Sequence, residues 1–333
     1  MTGDSAPGPR PTLLLVEART TLLRHSHAVN PDMAREILAF TPAASVRTTS
    51  RPLARAVSPD TVEGVYCRLP SAAGRRTDGI GTVASRGVLI GGRIALASSR
   101  TLIAAGRPGV PARRRGWFTH LANPGVLEQI GRADDDDLAR GFTGPSRPGV
   151  LDLAAIASRL LDRVQAATML DGTIPLRTAR TRFRFAVHDV GPHGSAPSPS
   201  FTIDDAGVRT LVVHAALDAP EQLATLCEEI AAHDWLLTTM QRLVDGLDEP
   251  PARAGRIERI APAVEQLLHL WMPGAHSEPE LSWVWSALER RPGFSRQWAS
   301  IVARIRNELD LSILRALSDG AEPTHQARLR REL

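Results

Sequence analysis

Apolar residues recur at strand-like spacing through the first third of the chain and at helical spacing through the last third. Thr12 to Ala18 and Thr21 to Val29 read as two short strands. Ile80 to Ala84, Val88 to Ile90, Ile94 to Ala97 and Leu102 to Ala105 follow at close intervals. Gly91-Gly92 stands between two of these runs and suits the positive φ angles of a two-residue hairpin turn. A helix is predicted from Pro31 to Phe40, with Asn30 as its N-cap and Pro31 at the first helical position.

The middle of the chain is punctuated by Pro and Gly, in Arg107 to Pro111 and again in Gly141 to Gly149. Asp134-Asp135-Asp136-Asp137 precedes Leu138. Carboxylates there fit the first turn of a helix, where the dipole and free amides favour them. Consecutive Asp diverge on a helix and no calcium-loop spacing is present, so capping is the preferred reading. Leu153, Ile156, Leu160, Leu161 and Val164 then recur at helical spacing. In Arg180 to Val187, alternation puts Phe183, Phe185 and Val187 on one face and Arg180, Arg182 and Arg184 on the other. Phe201 to Val213 supplies its expected partner, giving a β-hairpin near 177–215.

Helices are predicted over Glu221 to Asp245, Arg256 to Trp271, Pro279 to Arg290 and Ser295 to Leu317, about four in number, as in a bundle. The fold class expected is α+β: a β-rich N-terminal part, a mixed segment and a C-terminal helical bundle. The corresponding division is a disordered N-terminus over 1–11, a β-rich basic domain over 12–110 and a loop-rich connection over 111–150. A mostly helical domain over 151–317 and a flexible tail over 318–333 complete it.

Composition adds three constraints. All 40 of the basic residues are arginine, so chemistries that need a primary amine, such as a P-loop lysine or a Schiff base, have no residue here to perform them. GC-rich coding accounts for arginine in place of lysine. It does not account for the uneven charge: residues 1–120 hold 17 arginines against seven acids, a balance of +10, while the whole chain carries +4. A basic first third suits nucleic acid, nucleotide phosphates, or the acidic remainder of the same or another chain. Cys67 and Cys227 match no ligand spacing, no apolar run reaches ~20 residues, and no secretory signal is visible. A soluble, cytoplasmic protein is expected, with no membrane contact.

Motifs for standard catalysis are not found: no G-x-S-x-G, no G-x-G-x-x-G after a strand, no H-E-x-x-H and no Walker sequence. No cofactor or metal is expected. His25 and His27 share a strand face but lack a third ligand, and His233 and Asp234 are adjacent on a helix and so diverge. Three groups remain as candidate binding residues. Arg180, Arg182 and Arg184 form a cationic row whose guanidinium forks match oxyanions; its plain alternative is an edge strand kept soluble by charge. Arg113, Arg114 and Arg115 lie beside Trp117 and Phe118. Trp283 and Trp285, two apart on a helix, cannot both face one core, so one of them is expected to face a partner, a ligand or another domain.

Several segments together resemble an uncharacterised actinobacterial family known mainly from Streptomyces. They are Glu17 to Thr20, Pro59-Asp60, Gly79 to Ala84, His233 to Thr239, Leu267 to Ala275 and Glu289 to Phe294 with Gln297-Trp298. The resemblance implies no activity. It implies products of a conserved gene cluster that also includes a variant P-loop protein and a methyltransferase-like protein, and hence a place in a multi-protein system. The expected function is that of a non-enzymatic interaction or scaffold component whose partners are other proteins of that cluster. Alternatives are a nucleic-acid or nucleotide-phosphate binder and an enzyme with an unrecognised site.

Overall fold

In the computed structural model, which describes residues 10–41, 45–106, 111–174, 176–191, 199–204, 207–245 and 256–329, the first strand, β1, runs unbroken over Pro11–Leu22. The sequence breaks this stretch at Arg19-Thr20, but Thr20 is buried inside the sheet rather than ending a strand. The expected second strand, Thr21 to Val29, is a correction: after Leu22 the chain leaves the sheet in bends, so His25 and His27 do not share a strand face. Helix α1, Pro31–Leu38, starts as predicted, with Asn30 Oδ1 accepting from the Met33 amide at 2.8 Å.

Strands β2 (Arg47–Thr49), β3 (Arg55–Val57), β4 (Thr61–Arg68), β5 (Asp78–Ile90) and β6 (Ile94–Ala104) follow. The four short runs of the sequence are thus two long strands joined at Gly91 and Gly92, whose φ angles of 58° and 63° make the tight turn. A short 3₁₀ turn (Ala112–Arg114), α2 (Trp117–Leu121), β7 (Val126–Ile130) and α3 (Asp135–Thr143) occupy the stretch read as a loop-rich connection. Asp134 caps α3 by accepting from the Asp137 amide at 2.7 Å. Arg107 to Val110 lie outside the described residues.

Next come α4 (Leu153–Gln165), β8 (Thr181–Asp189), β9 (Ser200–Ile203), β10 (Arg209–Ala215) and α5 (Pro220–Asp245), then α6 (Arg256–Leu267), α7 (Ser282–Arg290) and α8 (Phe294–Leu329). The expected hairpin near 177–215 is corrected: β8 and β10 are parallel neighbours, and β9 turns back along the far side of β10. The connection from β8 to β9 lies largely outside the described residues, over 192–198. Helix α8 keeps helical backbone through Leu329, into the stretch expected to be a flexible tail.

Among the described residues the strands form one ten-stranded sheet in the order β2-β3-β5-β7-β6-β1-β8-β10-β9, with β4 paired to β5 off this path. Strand β7 enters the fork where β5 parts from β6, antiparallel to the first and parallel to the second. Helices cover both faces, which is why the central strands read as near-continuous apolar runs. On one face Leu14, Val16, Phe183, Phe185, Leu211 and Leu96 meet α5 and, beyond it, α6 to α8. On the other, Leu13, Leu15, Val83 and Ile103 meet α3 and α4, and Leu89 and Ala97 meet α1 and the rest of α4. The sheet therefore takes strands from both sides of the 111–150 stretch, through β1 paired with β6 and with β8. No helix among the described residues is long and apolar enough to cross a membrane.

Candidate functional site

Strand β4 alternates half-buried and exposed positions, because only one of its faces meets the core. Val65 and Cys67 pack inward; Val62, Gly64 and Tyr66 turn outward. Helix α2 lies over this outward face. The Trp117 ring sits so close to Gly64 that a Cβ there would be 3.0 Å from it. Gly64 therefore works as the seat of an indole. The Arg113 guanidinium lies 6.0 Å from the centre of the Tyr66 ring and donates to Asp78 at 3.0 Å. Arg115 pairs with buried Glu128 at 2.5 Å, anchoring the start of α2, while Arg114 is exposed. These apolar groups stay open to solvent: Phe118 is 79% exposed, Tyr66 54%, Leu121 52% and Trp117 46%. Burial of Cys67 pushes its thiol up to about 11, so it is a small packing group and not a nucleophile.

The arginine row lies elsewhere and is not an edge. Strand β8 is interior, between β1 and β10, so the reading of an exposed, charge-protected edge strand is corrected. Arg182 and Arg184 point to the α3–α4 face, where register places Glu17 opposite Arg184 and Arg19 opposite Arg182. Arg182 holds both oxygens of Glu17, through Nε and, at 3.1 Å, through Nη2. Arg184 donates to the Gly144 carbonyl and, at 2.7 Å, to Ser146 Oγ. Burial pushes the pKa of both Arg19 and Arg184 down. Arg180, just before β8, is exposed and pairs with Asp162 of α4 at 2.7 Å. The three arginines thus do not form one surface.

Trp285 is buried, its indole N–H donating to Ser277 Oγ at 2.9 Å and its ring edge-on to His233. Trp283 is half-buried at the border of the same core. His233 is held between Trp271 and Trp285 and accepts the Met272 amide on Nε2, so Nδ1 carries the proton and donates to the Glu229 carbonyl at 2.8 Å. Burial pushes its pKa down to about 4. Asp234 faces the other way, to Arg209, at 3.0 Å; burial nevertheless pushes its carboxyl up to about 6. The two residues diverge as their spacing predicts and form no acid–base dyad.

The sequence gives no hint of two further meetings. His188 and His214 stack at 4.8 Å across the parallel β8–β10 pair. Arg86, on β5, enters α5's territory and grips Glu228. Parallel register and a partner 142 residues away leave no local signal. No group of three metal-ligating side chains occurs among the described residues. No protein-family model, curated protein or solved structure matches the chain.

Proposed function

We propose that this chain is an interaction component that docks a partner protein on the β4–α2 platform, without covalent chemistry at that surface. The observation that carries the reading is the joint exposure of Tyr66, Trp117, Phe118 and Leu121 on one ledge bordered by Arg113 and Arg114. Exposed aromatic groups of this kind mark interfaces, since ring burial provides the largest contact area per immobilised side chain. The partner chemistry that fits is an apolar segment flanked by acidic residues, which would place carboxylates against the two guanidiniums. A nucleic-acid track is a poorer fit, because the β8 arginines are engaged inside the fold and few cations border the platform.

The resemblance to the actinobacterial family names the partners to try first: the variant P-loop protein and the methyltransferase-like protein of the same cluster. Purified full chain and each candidate would be mixed and followed by calorimetry, using wild type and a Trp117→Ser/Phe118→Ser variant. Micromolar or tighter binding, weakened at least tenfold by the double change, is the expected result. Binding that the double change leaves intact removes the platform from the reading. Affinity for mixed single-stranded nucleic acid that falls steeply with salt would favour the alternative class.

A further inference from the structure

Between the end of α3, the loop before α4 and the inner face of β1 and β8 lies a small cavity of about 50 Å³. It is large enough for roughly three or four waters or a group of similar size. Its lining includes Glu17, Ser146, Arg147, Asp152, Arg182 and Arg184. Three arginines against two acids leave a surplus of one positive charge, and Arg19 stands beside the site on β1. Both acids are engaged: Glu17 with Arg182, and Asp152 with the Ala155 amide at 3.0 Å as the cap of α4.

Hydrogen-bond supply decides what such a cavity holds. Arg184 is almost wholly buried, yet its Nε makes no hydrogen bond; Glu17 Oε2 lies 3.8 Å from it, beyond hydrogen-bond reach. The buried Nε of Arg19 is likewise without an acceptor. Ser146 Oγ accepts from two guanidiniums at once, Arg182 at 3.2 Å and Arg184 at 2.7 Å. Its lone pairs are therefore used, and its own proton is left to donate outward. Two buried guanidinium N–H groups without an acceptor, a hydroxyl proton aimed outward and a surplus of positive charge describe a receptor for a small acceptor-only group.

We propose that this cavity binds a small oxyanion, a phosphate group above all, held by Arg182, Arg184, Arg147 and the Ser146 hydroxyl. The site is separate from the β4–α2 platform and stands or falls independently of it. Arg147 is exposed and now rests on the Ser71 carbonyl at 3.0 Å, a neutral acceptor that an anion outcompetes. Glu17 sets the limit on affinity: it clamps Arg182 and repels the ligand.

The test is titration of the full chain with inorganic phosphate by calorimetry and thermal unfolding, with sodium chloride at matched ionic strength as control. Ser146 is exposed but accepts from buried Arg184, so Ser146→Ala is first checked by its melting temperature without phosphate; in the folded variant the change should weaken phosphate about tenfold. Glu17→Gln should lower the melting temperature yet tighten phosphate binding, a pair of signs that a purely structural role does not give. A parallel titration with ADP separates the sources: tighter binding than phosphate assigns a nucleotide, equal or weaker binding assigns the free anion. Absence of a phosphate response at tens of millimolar, an equal response to chloride, or unchanged affinity in Ser146→Ala overturns the proposal.

Discussion

Glu228 is the residue on which most interior charge converges. It is fully buried, and Arg86 grips it bidentately at 2.6 and 3.0 Å. Arg55 donates at 2.6 Å and Ser98 at 2.5 Å. Burial opposes the charge on Glu228, but the two guanidiniums more than offset it and hold its pKa below the usual range. A carboxylate so held is costly to neutralise alone, because two buried cations lose their counter-charge. Glu228→Gln should lose about 3–5 kcal/mol in urea unfolding. Changing Arg86→Met and Glu228→Met together should cost clearly less than the sum of the single changes. Additive losses would mean that the pair is not the unit that matters.

Adjacent residues also set opposing pH responses. His233 has its folded pKa lowered from 6.5 to about 4. The unfolded chain therefore takes up that proton first, and stability is lost as pH falls from about 6.5 to 4. Asp234 has its folded pKa raised from 3.8 to about 6. The folded chain takes up that proton first, so stability is gained as pH falls from about 6 towards 4. Each contribution is on the order of 3 kcal/mol and their signs oppose. Between pH 6.5 and 4, His233→Gln should gain stability relative to wild type and Asp234→Asn should lose it. Parallel stability curves for the three proteins would refute the assignment.

At the scale of elements, the β5–β6 hairpin shows a turn fixed by two separate constraints. Gly92 has positive φ, and a Cβ there would lie 2.3 Å from the Val29 carbonyl oxygen. Gly74 also has positive φ, but nothing lies within 4 Å of its Cβ position. Gly74→Ala should therefore cost about 1 kcal/mol, the backbone penalty alone, and Gly92→Ala about 2–3 kcal/mol or more, because the close backbone contact must also move. Thermal unfolding of the two variants would compare them, and equal losses would show that the contact yields freely. Gly91-Gly92 was readable from sequence because the dipeptide itself encodes the turn. The lengths of β5 and β6 were not. Ser85, Arg86, Ser98 and Ser99 look like interruptions, yet Ser85 and Ser99 meet at 3.0 Å and Arg86 and Ser98 meet Glu228. Their partners lie on a neighbouring strand or on a helix more than a hundred residues away, and a local pattern carries no trace of such pairing. The same holds for the candidate sites: Arg113 to Arg115 with Trp117 and Phe118 stand together in sequence, whereas Tyr66 joins them only through the β4–β5 pairing. Alternation on β8 gave the two faces correctly and hid that the cationic face is covered.

At the scale of the molecule, the uneven charge finds its counterpart inside the chain. Arg10, Arg55, Arg75, Arg86, Arg100 and Arg115 of the basic first third pair with Asp189, Glu228, Asp134, Glu221 and Glu128 of the remainder. The sheet crosses the same line: β1 bonds to β6 on one side and to β8 on the other. Cutting at residue 150 would therefore strip β8 from the edge of β1, expose Leu14, Val16 and Leu96 by removing α5, and take from Arg86 its partners Glu221, Thr225 and Glu228. Apolar exposure on that scale is not compatible with a stable fragment. Residues 10–150 and 151–329 expressed separately should each lack cooperative unfolding and resist proteolysis poorly, while mixing or co-expressing them should restore both properties. A sharp melting transition in the isolated 10–150 fragment would show instead that its half of the sheet closes on its own, and that the ion pairs crossing to α5 join two finished cores rather than complete a single one.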